Sequence, residues 1–253
     1  MSAKLNAVVL GVVGLASLLV AWTIVIEVGL VSSSSLPYAT NVAGKLPQLL
    51  TDGDFLRSLG DTMWGWLAAL VLSSVAAVVV GVLMSTVSWL TRPATLAVNI
   101  LRSIPSTALI PVAILIFGLG PQMKISVAVY ATFWVVLINT MYGVASTEPM
   151  RLDAARSFHW GWLRTHTLVT LPSALPSIVT GIRIASGIAL VVVLSAELLG
   201  AKSGLGTEMV RYQQSLQIDV VYAMLLITGV IGTVLYTALV RVEKLSMRWV
   251  RSV

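Results

Sequence analysis

The sequence has no cysteine and little charge: its 253 residues include 16 Lys and Arg, 10 Asp and Glu, and two His. The missing cysteine excludes disulfides, thiolate metal sites and cysteine nucleophiles. Charged residues make up 10% of the chain, against about 25% in a soluble domain. A chain that is 57% hydrophobic, with a mean hydropathy of +0.95, cannot clothe a compact fold in polar side chains. A soluble globular domain is therefore excluded, and the bilayer must act as solvent for much of the chain. Signatures of catalysis are missing too. Lys202-Ser203 has the dipeptide of a phosphate-binding loop but lacks its glycines and spacing, so ATP is not expected to bind here. Neither His-Glu-x-x-His nor Gly-x-Ser-x-Gly occurs. His159 and His166 stand seven apart, on one face if the segment is helical, but no third ligand accompanies them. No metal site and no enzyme activity are expected.

What is present is a series of six apolar segments: 5–26, 63–83, 97–119, 125–144, 178–199 and 220–240. They predict an all-α integral membrane protein with one transmembrane domain. The first run exceeds the roughly 7–15-residue core of a secretory signal and suffices for a spanning helix, so it is expected to be retained. Trp64, Trp66 and Trp89 flank the second segment as residues of the membrane interface would. Arg102, Pro105 and Pro111 interrupt the third. The 27–62 stretch begins as a Ser- and Pro-marked loop and then suggests a short surface helix starting near Asp54.

Six crossings divide the cations unevenly. With Lys4 inside, the inner set is Lys4, Arg92, Arg102, Arg151, Arg156, Arg164, Arg183, Arg241, Lys244, Arg248 and Arg251. The outer set is Lys45, Arg57, Lys124, Lys202 and Arg211. This asymmetry places both termini, the 145–175 connection and the 241–253 tail in the cytoplasm. The net charge of +6 is then a topology signal, not a nucleic-acid footprint.

The inner connection carries both histidines and the sequence Glu148-Pro-Met-Arg-Leu-Asp-Ala-Ala-Arg-Ser-Phe-His-Trp-Gly-Trp. It suits a pair of short helices over 150–168. Asp153 in a first turn would complement the helix dipole. Ala154 and Ala155 favour helix and allow close approach. Phe158, Trp160, Trp162 and Leu163 supply interface area, and Pro172 and Pro176 stop the loop helix before the fifth segment. Two readings fit these residues: a docking element for another protein, or an amphipathic helix lying on the bilayer.

The spacing from Asp153-Ala154-Ala155 through His159 to Val169, Leu171 and Pro172 resembles the EAA loop of ABC-importer permeases, with Asp for the usual Glu and His159 at the expected glycine. Leu101–Pro111 with Phe117-Gly-Leu-Gly120, Leu171–Arg183 and Ala196–Gly206 resemble the sulfonate, taurine and nitrate permease group. The resemblance runs from about residue 60 to the C-terminus. It implies a MetI-like, type I permease fold in the bacterial cytoplasmic membrane, paired with a second copy of the chain. It also implies two ABC ATPase subunits that hold ATP and Mg, and an extracytoplasmic substrate-binding protein. Asp153, Ala154, Ala155, Phe158, His159, Trp160, Trp162, Leu171 and Pro172 would couple to the ATPase, and Ala155→Arg is expected to block docking while leaving the permease folded.

Polar groups inside the segments are candidates for the substrate path: Arg102, Ser103, Ser106 and Thr107, with Asn99 nearby, then Asn139 and Thr140, then Ser186, Ser195 and Glu197. Helix packing is the competing explanation for the small ones, and Arg183 is expected to snorkel to the interface. The implied cargo is a sulfonate, taurine or nitrate-like anion or a small heterocycle. A channel or ion-coupled transporter is the rival class, and a structural membrane scaffold a second.

Overall fold

The computed structural model describes residues 2–86 and 88–246, with side chains except at 2–8, 12, 15, 88–92, 94, 245 and 246. Arg248 and Arg251 lie outside the described residues, as do the side chains of Lys4, Trp89 and Arg92. Among the described residues there is no strand. Among the described residues five helical stretches are long and apolar enough to cross a membrane: Val9–Glu27, Gly53–Thr86, Pro121–Ala145, Trp162–Gly200 and Ile218–Lys244. A bent pair, Thr95–Leu101 with Ser106–Phe117, meets the same test of length and composition only when its two halves, inclined by 73°, are taken together.

The chain forms two compact units. The first holds residues 1–57 and 208–229. Within it, helix α1 (Ser2–Glu27) meets α2 (Ala39–Thr51). Trp22 donates its indole N–H to the Pro37 carbonyl at 2.9 Å, and Tyr38 donates to Glu27 at 3.0 Å. Lys45 pairs with Asp219 at 3.4 Å. The 27–62 stretch is thus largely helical. The helix foreseen near Asp54 is not short: it is the start of α3 (Gly53–Thr86), 34 residues long, which contains the whole second segment. The 200–219 connection likewise holds α10 (Leu205–Gln214) before α11 (Ile218–Ser246). Burial raises the Glu208 carboxyl above its ordinary value; Arg211 opposes this and Asp54 and Asp52 add to it.

The second unit holds residues 58–207 and 230–253, and its main packing partners are α6 (Pro121–Ala145) and α9 (Leu171–Gly200). Small residues let these backbones touch. A Cβ on Gly181 would stand 2.7 Å from that of Asn139, and one on Gly143 would stand 2.8 Å from the Ala174 carbonyl oxygen. Close small-residue crossings replace the hydrophobic drive that lipid cannot supply. Trp66 is not an interface anchor: it is buried, and its indole N–H donates to the Ser186 carbonyl at 3.0 Å. Trp64 is exposed. Arg183 does not snorkel alone either; it pairs with Glu243, which also accepts from Thr180.

Two departures from the expected segments have proline causes. The third segment is not one helix: α4 (Ser88–Leu101) ends before Pro105, a 3₁₀ turn covers Ser106–Leu109, and α5 runs Ile110–Phe117. Pro105 has no N–H and disfavours helix in the residue before it, while Pro111 sits at the start of α5 where proline is tolerated. Conversely, Pro172 and Pro176 do not stop the loop helix. After α7 (Pro149–Ser157), helix α8 (Trp162–Thr165) passes through a π-helical turn, His166–Thr170, into α9. Pro172 cannot donate to the Leu168 carbonyl; the chain widens, and the Leu171 N–H reaches back to His166. The result is a helical stretch from Trp162 to Gly200.

Candidate functional site

The polar 146–170 connection is built as a rigid element. Pro149 occupies the first turn of α7 and Glu148 its N-cap. This start places Asp153 mid-helix, so it does not serve the dipole; it pairs instead with Arg156 at 2.9 Å, both exposed. Arg151 pairs with Glu148 at 3.1 Å. At the other end His159 has φ +51°. Its N–H donates to Arg156 O at 2.9 Å, and the Trp160 N–H donates to Ala155 O at 3.0 Å. These two bonds close the left-handed helix cap in which glycine is the usual occupant. The glycine expected at this position therefore has a physical reason, and His159 adopts the same left-handed backbone despite its side chain. The turn also takes His159 out of the helix, so it shares no helix face with His166, whose ring nitrogen meets Thr170 Oγ1 at 3.0 Å. Among the described residues no group of His, Cys, Asp or Glu could hold a metal.

Beyond the cap, Trp160 folds back. Arg164 lies over its ring at 4.5 Å, and Trp162 meets His166 edge-on at 4.6 Å. Between α7 and the π-helical turn lies a groove of about 350 Å³, walled by Ala154, Phe158 and Trp160 on one side and by Leu168, Val169 and Pro172 on the other. Apolar side chains stand free at this surface: Phe158 and Met150 are each 73% exposed, and Trp162 and Leu163 are exposed as well. Ala154 is exposed but Ala155 is only 3% so. Ala155→Arg would therefore disturb the loop itself, which changes the expectation stated above; Ala154 is the outward alanine. Leu171 is half-buried at the start of α9.

The path candidates fall into two sets. Asn139 donates to Val135 O at 2.8 Å, Thr140 to Val136 O at 2.8 Å, and Ser195 to Val191 O at 2.8 Å; each turns back on its own helix, and Ser186 is buried. Arg102 and Ser103 are exposed in the bend after α4, with Ser103 bonded to Asn99 O at 2.7 Å, and Ser106 and Thr107 form the 3₁₀ turn. Asn99 and Arg102 line a cavity of about 310 Å³ shared with α3 and α6.

Glu197 lies elsewhere. It is 1% exposed and forms an ion pair with Lys124 at 2.6 Å. The ammonium spends its other two protons on the carbonyls of Asp61 at 3.1 Å and Ser203 at 3.2 Å. The carboxylate also accepts from Thr62 Oγ1 at 2.9 Å and from the Gly206 N–H at 3.1 Å. Thr62 in turn accepts from the Leu205 N–H at 2.8 Å. Gly204, at φ +126°, has no room for a Cβ, which would fall 2.0 Å from the carboxylate. Three helices and the Lys202–Gly206 turn are thus tied at one buried point. Lys124, counted in the outer set, is 2% exposed; the signal for its burial was the lone acid Glu197, which needs a partner inside a membrane.

Residues 73–251 match the family described as binding-protein-dependent transport system inner membrane component. The chain is 30% identical to the taurine transport system permease protein TauC of Escherichia coli (strain K12), covering 96% of this chain and 90% of that one. It is 28% identical to a chain of the same organism provisionally named aliphatic sulfonates transport permease protein SsuC, covering 90% and 87%. Among solved structures it is similar in fold to a chain of the inward-facing MetNI methionine ABC transporter, with TM-score 0.68 and 21% identity over 79% of this chain and 97% of that one. A chain of a bacterial alginate ABC transporter, solved with its pentasaccharide-bound periplasmic protein, gives TM-score 0.66 at 14% identity, covering 98% and 96%.

Proposed function

The chain belongs to the binding-protein-dependent transport inner-membrane family and is the permease subunit of an ABC importer, and we propose that it couples transport to ATP hydrolysed by partner subunits docked at the 146–170 connection. Two copies pair in the bacterial cytoplasmic membrane with both termini and that connection in the cytoplasm, as the Lys and Arg asymmetry directs. Two ATPase subunits hold ATP and Mg. An extracytoplasmic binding protein delivers a small anion of the sulfonate or taurine kind, the class named for the relatives.

The observation that carries this reading is the capped α7 element with its exposed apolar groove beside α9. A surface lipid anchor would bury Phe158 and Trp162 in one plane. Here Phe158 and Trp160 line a concave groove beside a capped turn, the shape that a protein ridge fills. Closure of the ATPase dimer would draw the two connections together and move each α9, opening the path alternately to the two sides.

The test is assembly. The wild-type chain should purify with its ATPase and take up radiolabelled taurine or an alkanesulfonate in proteoliposomes only with ATP. Ala154→Arg should leave the permease folded and remove both. ATP-independent flux by the chain alone would instead establish the channel or ion-coupled reading.

A further inference from the structure

The cavity of about 310 Å³ between α3, α4 and α6 sits at the lower end of the roughly 300–1,000 Å³ typical of ligand pockets. One part of its wall is polar. Arg102 stands in the bend at the end of α4 with no acidic partner among the described residues. The side-chain amide of Asn99, one helical turn before it, has no bond to a described residue. The Ser85 hydroxyl is buried and unpartnered, although its residue lines the cavity. The Tyr142 phenol adds a fourth polar group. The rest of the wall is apolar, with Val98, Ile138 and Met141.

A buried hydroxyl without a partner is costly, and Arg102, exposed in the bend after α4, has no carboxylate beside it in the cavity wall. Both are here, on one cavity, together with an amide that can donate. Ser85, Asn99, Arg102 and Tyr142, the last three exposed, line a space that has no carboxylate in its wall. We infer that this cavity is a binding site for a single oxyanion group, a sulfonate or phosphate, carrying a short apolar body. Arg102 would supply charge and a fork of donors, Ser85 and Asn99 orient the oxygens, and Val98, Ile138 and Met141 receive the apolar part. A transported alkanesulfonate and a phospholipid headgroup share this chemistry. The inference rests on the importer reading only for how a free anion would reach the site.

The experiment uses the full complex in nanodiscs, with two probes: butanesulfonate, followed by equilibrium binding, and phosphatidylglycerol, followed by native mass spectrometry. At least one probe should bind saturably to the wild type, and Arg102→Gln should weaken it roughly tenfold or more, as loss of a charge-assisted contact does. Arg102→Lys should restore part of the affinity. Ala145→Phe, which narrows the cavity from α6 while keeping Arg102 in the sequence, should abolish binding with the thermal midpoint unchanged. Butanesulfonate binding identifies the free anion as the occupant, and retained phosphatidylglycerol identifies the lipid. Binding of neither probe, or binding indifferent to both substitutions, overturns the inference. Uptake that persists in Arg102→Gln and Ala145→Phe without such binding leaves the importer reading standing and removes this site alone. Binding without any ATP-driven uptake does the reverse.

Discussion

Two ion pairs of the second unit sit in opposite surroundings. Arg156 and Asp153 lie 2.9 Å apart on α7 with side chains 77% and 67% exposed. Lys124 and Glu197 lie 2.6 Å apart with side chains 2% and 0% exposed. The first pair is one turn of one helix holding itself, in water that screens most of the attraction. The second joins α6 to α9, carries Thr62 of α3 and two backbone N–H groups with it, and leaves no lone proton on the ammonium. What differs is the cost of removing one partner. Outside, water takes its place; inside, the survivor is a bare charge in a low-dielectric core. The two settings also bracket one element. The helical stretch Trp162–Gly200 begins beside the exposed groove and reaches the buried tie at Glu197. At about 1.5 Å per residue it spans on the order of 55–60 Å. A displacement applied at the groove end would therefore be felt against a fixed point, which is what a lever requires.

The largest effect should come from breaking the fixed point. Lys124→Met leaves Glu197 buried without its counter-charge, and should cost about 3–5 kcal/mol of stability, read as a large drop in the thermal midpoint of the detergent-solubilised protein. The double variant Lys124→Met, Glu197→Leu should recover much of that loss, because replacing both charges removes the uncompensated one. A single variant as stable as wild type would mean that the pair is not what holds the Lys202–Gly206 turn.

Next in size are the two alanines of α7, which separate folding from docking. Ala155 is buried against its own loop, so Ala155→Arg should destabilise by about 1–3 kcal/mol through overpacking. Ala154→Arg adds an exposed charge and should stay within about 0.5 kcal/mol of wild type, yet lose the ATPase in co-purification. Equal loss of stability in both, or retention of the ATPase in Ala154→Arg, would erase the distinction between the buried and the outward residue.

Much of this was legible in the sequence, and the reasons differ by residue. Hydropathy reports which stretches are apolar, so the long apolar helices were readable, and the break in the third segment was marked by its prolines. The Asp153–Pro172 spacing pointed to the connection that carries the groove. The continuous passage from π-helical turn to α9 was not readable, because proline is a helix breaker only when the chain cannot widen around it, and that depends on what packs alongside. The burial of Lys124 was not readable because a cation at the end of an apolar segment looks the same whether it faces water or a carboxylate 73 residues away in sequence. Trp66 failed likewise: a tryptophan near the end of an apolar segment satisfies its N–H at the interface or, as here, on a neighbouring carbonyl.

A smaller effect concerns the cap. His159 holds φ +51°, a conformation that costs an ordinary residue roughly 1 kcal/mol relative to glycine. His159→Gly should therefore raise stability by about 1 kcal/mol or less, with no change in the cap bonds from Trp160 to Ala155. A decrease would show that the imidazole makes a compensating contact within the permease itself, and the same variant measured in the assembled complex would reveal a contact made only once the ATPase is seated.

The smallest effect belongs to the exposed pair. Asp153→Asn should change stability by no more than about 0.5 kcal/mol, and 0.5 M salt should shrink even that, since the Debye length then falls well below 10 Å. The same salt should leave the cost of Lys124→Met nearly untouched, because ions do not reach a pair sealed between α6 and α9. Salt dependence is thus the sharpest single discriminator between the two settings. If Asp153→Asn also abolishes ATPase binding while stability stays level, the acid of the α7 element acts on the partner and not on its own helix, which is the division of labour that an exposed pair beside a docking groove permits and a buried one does not.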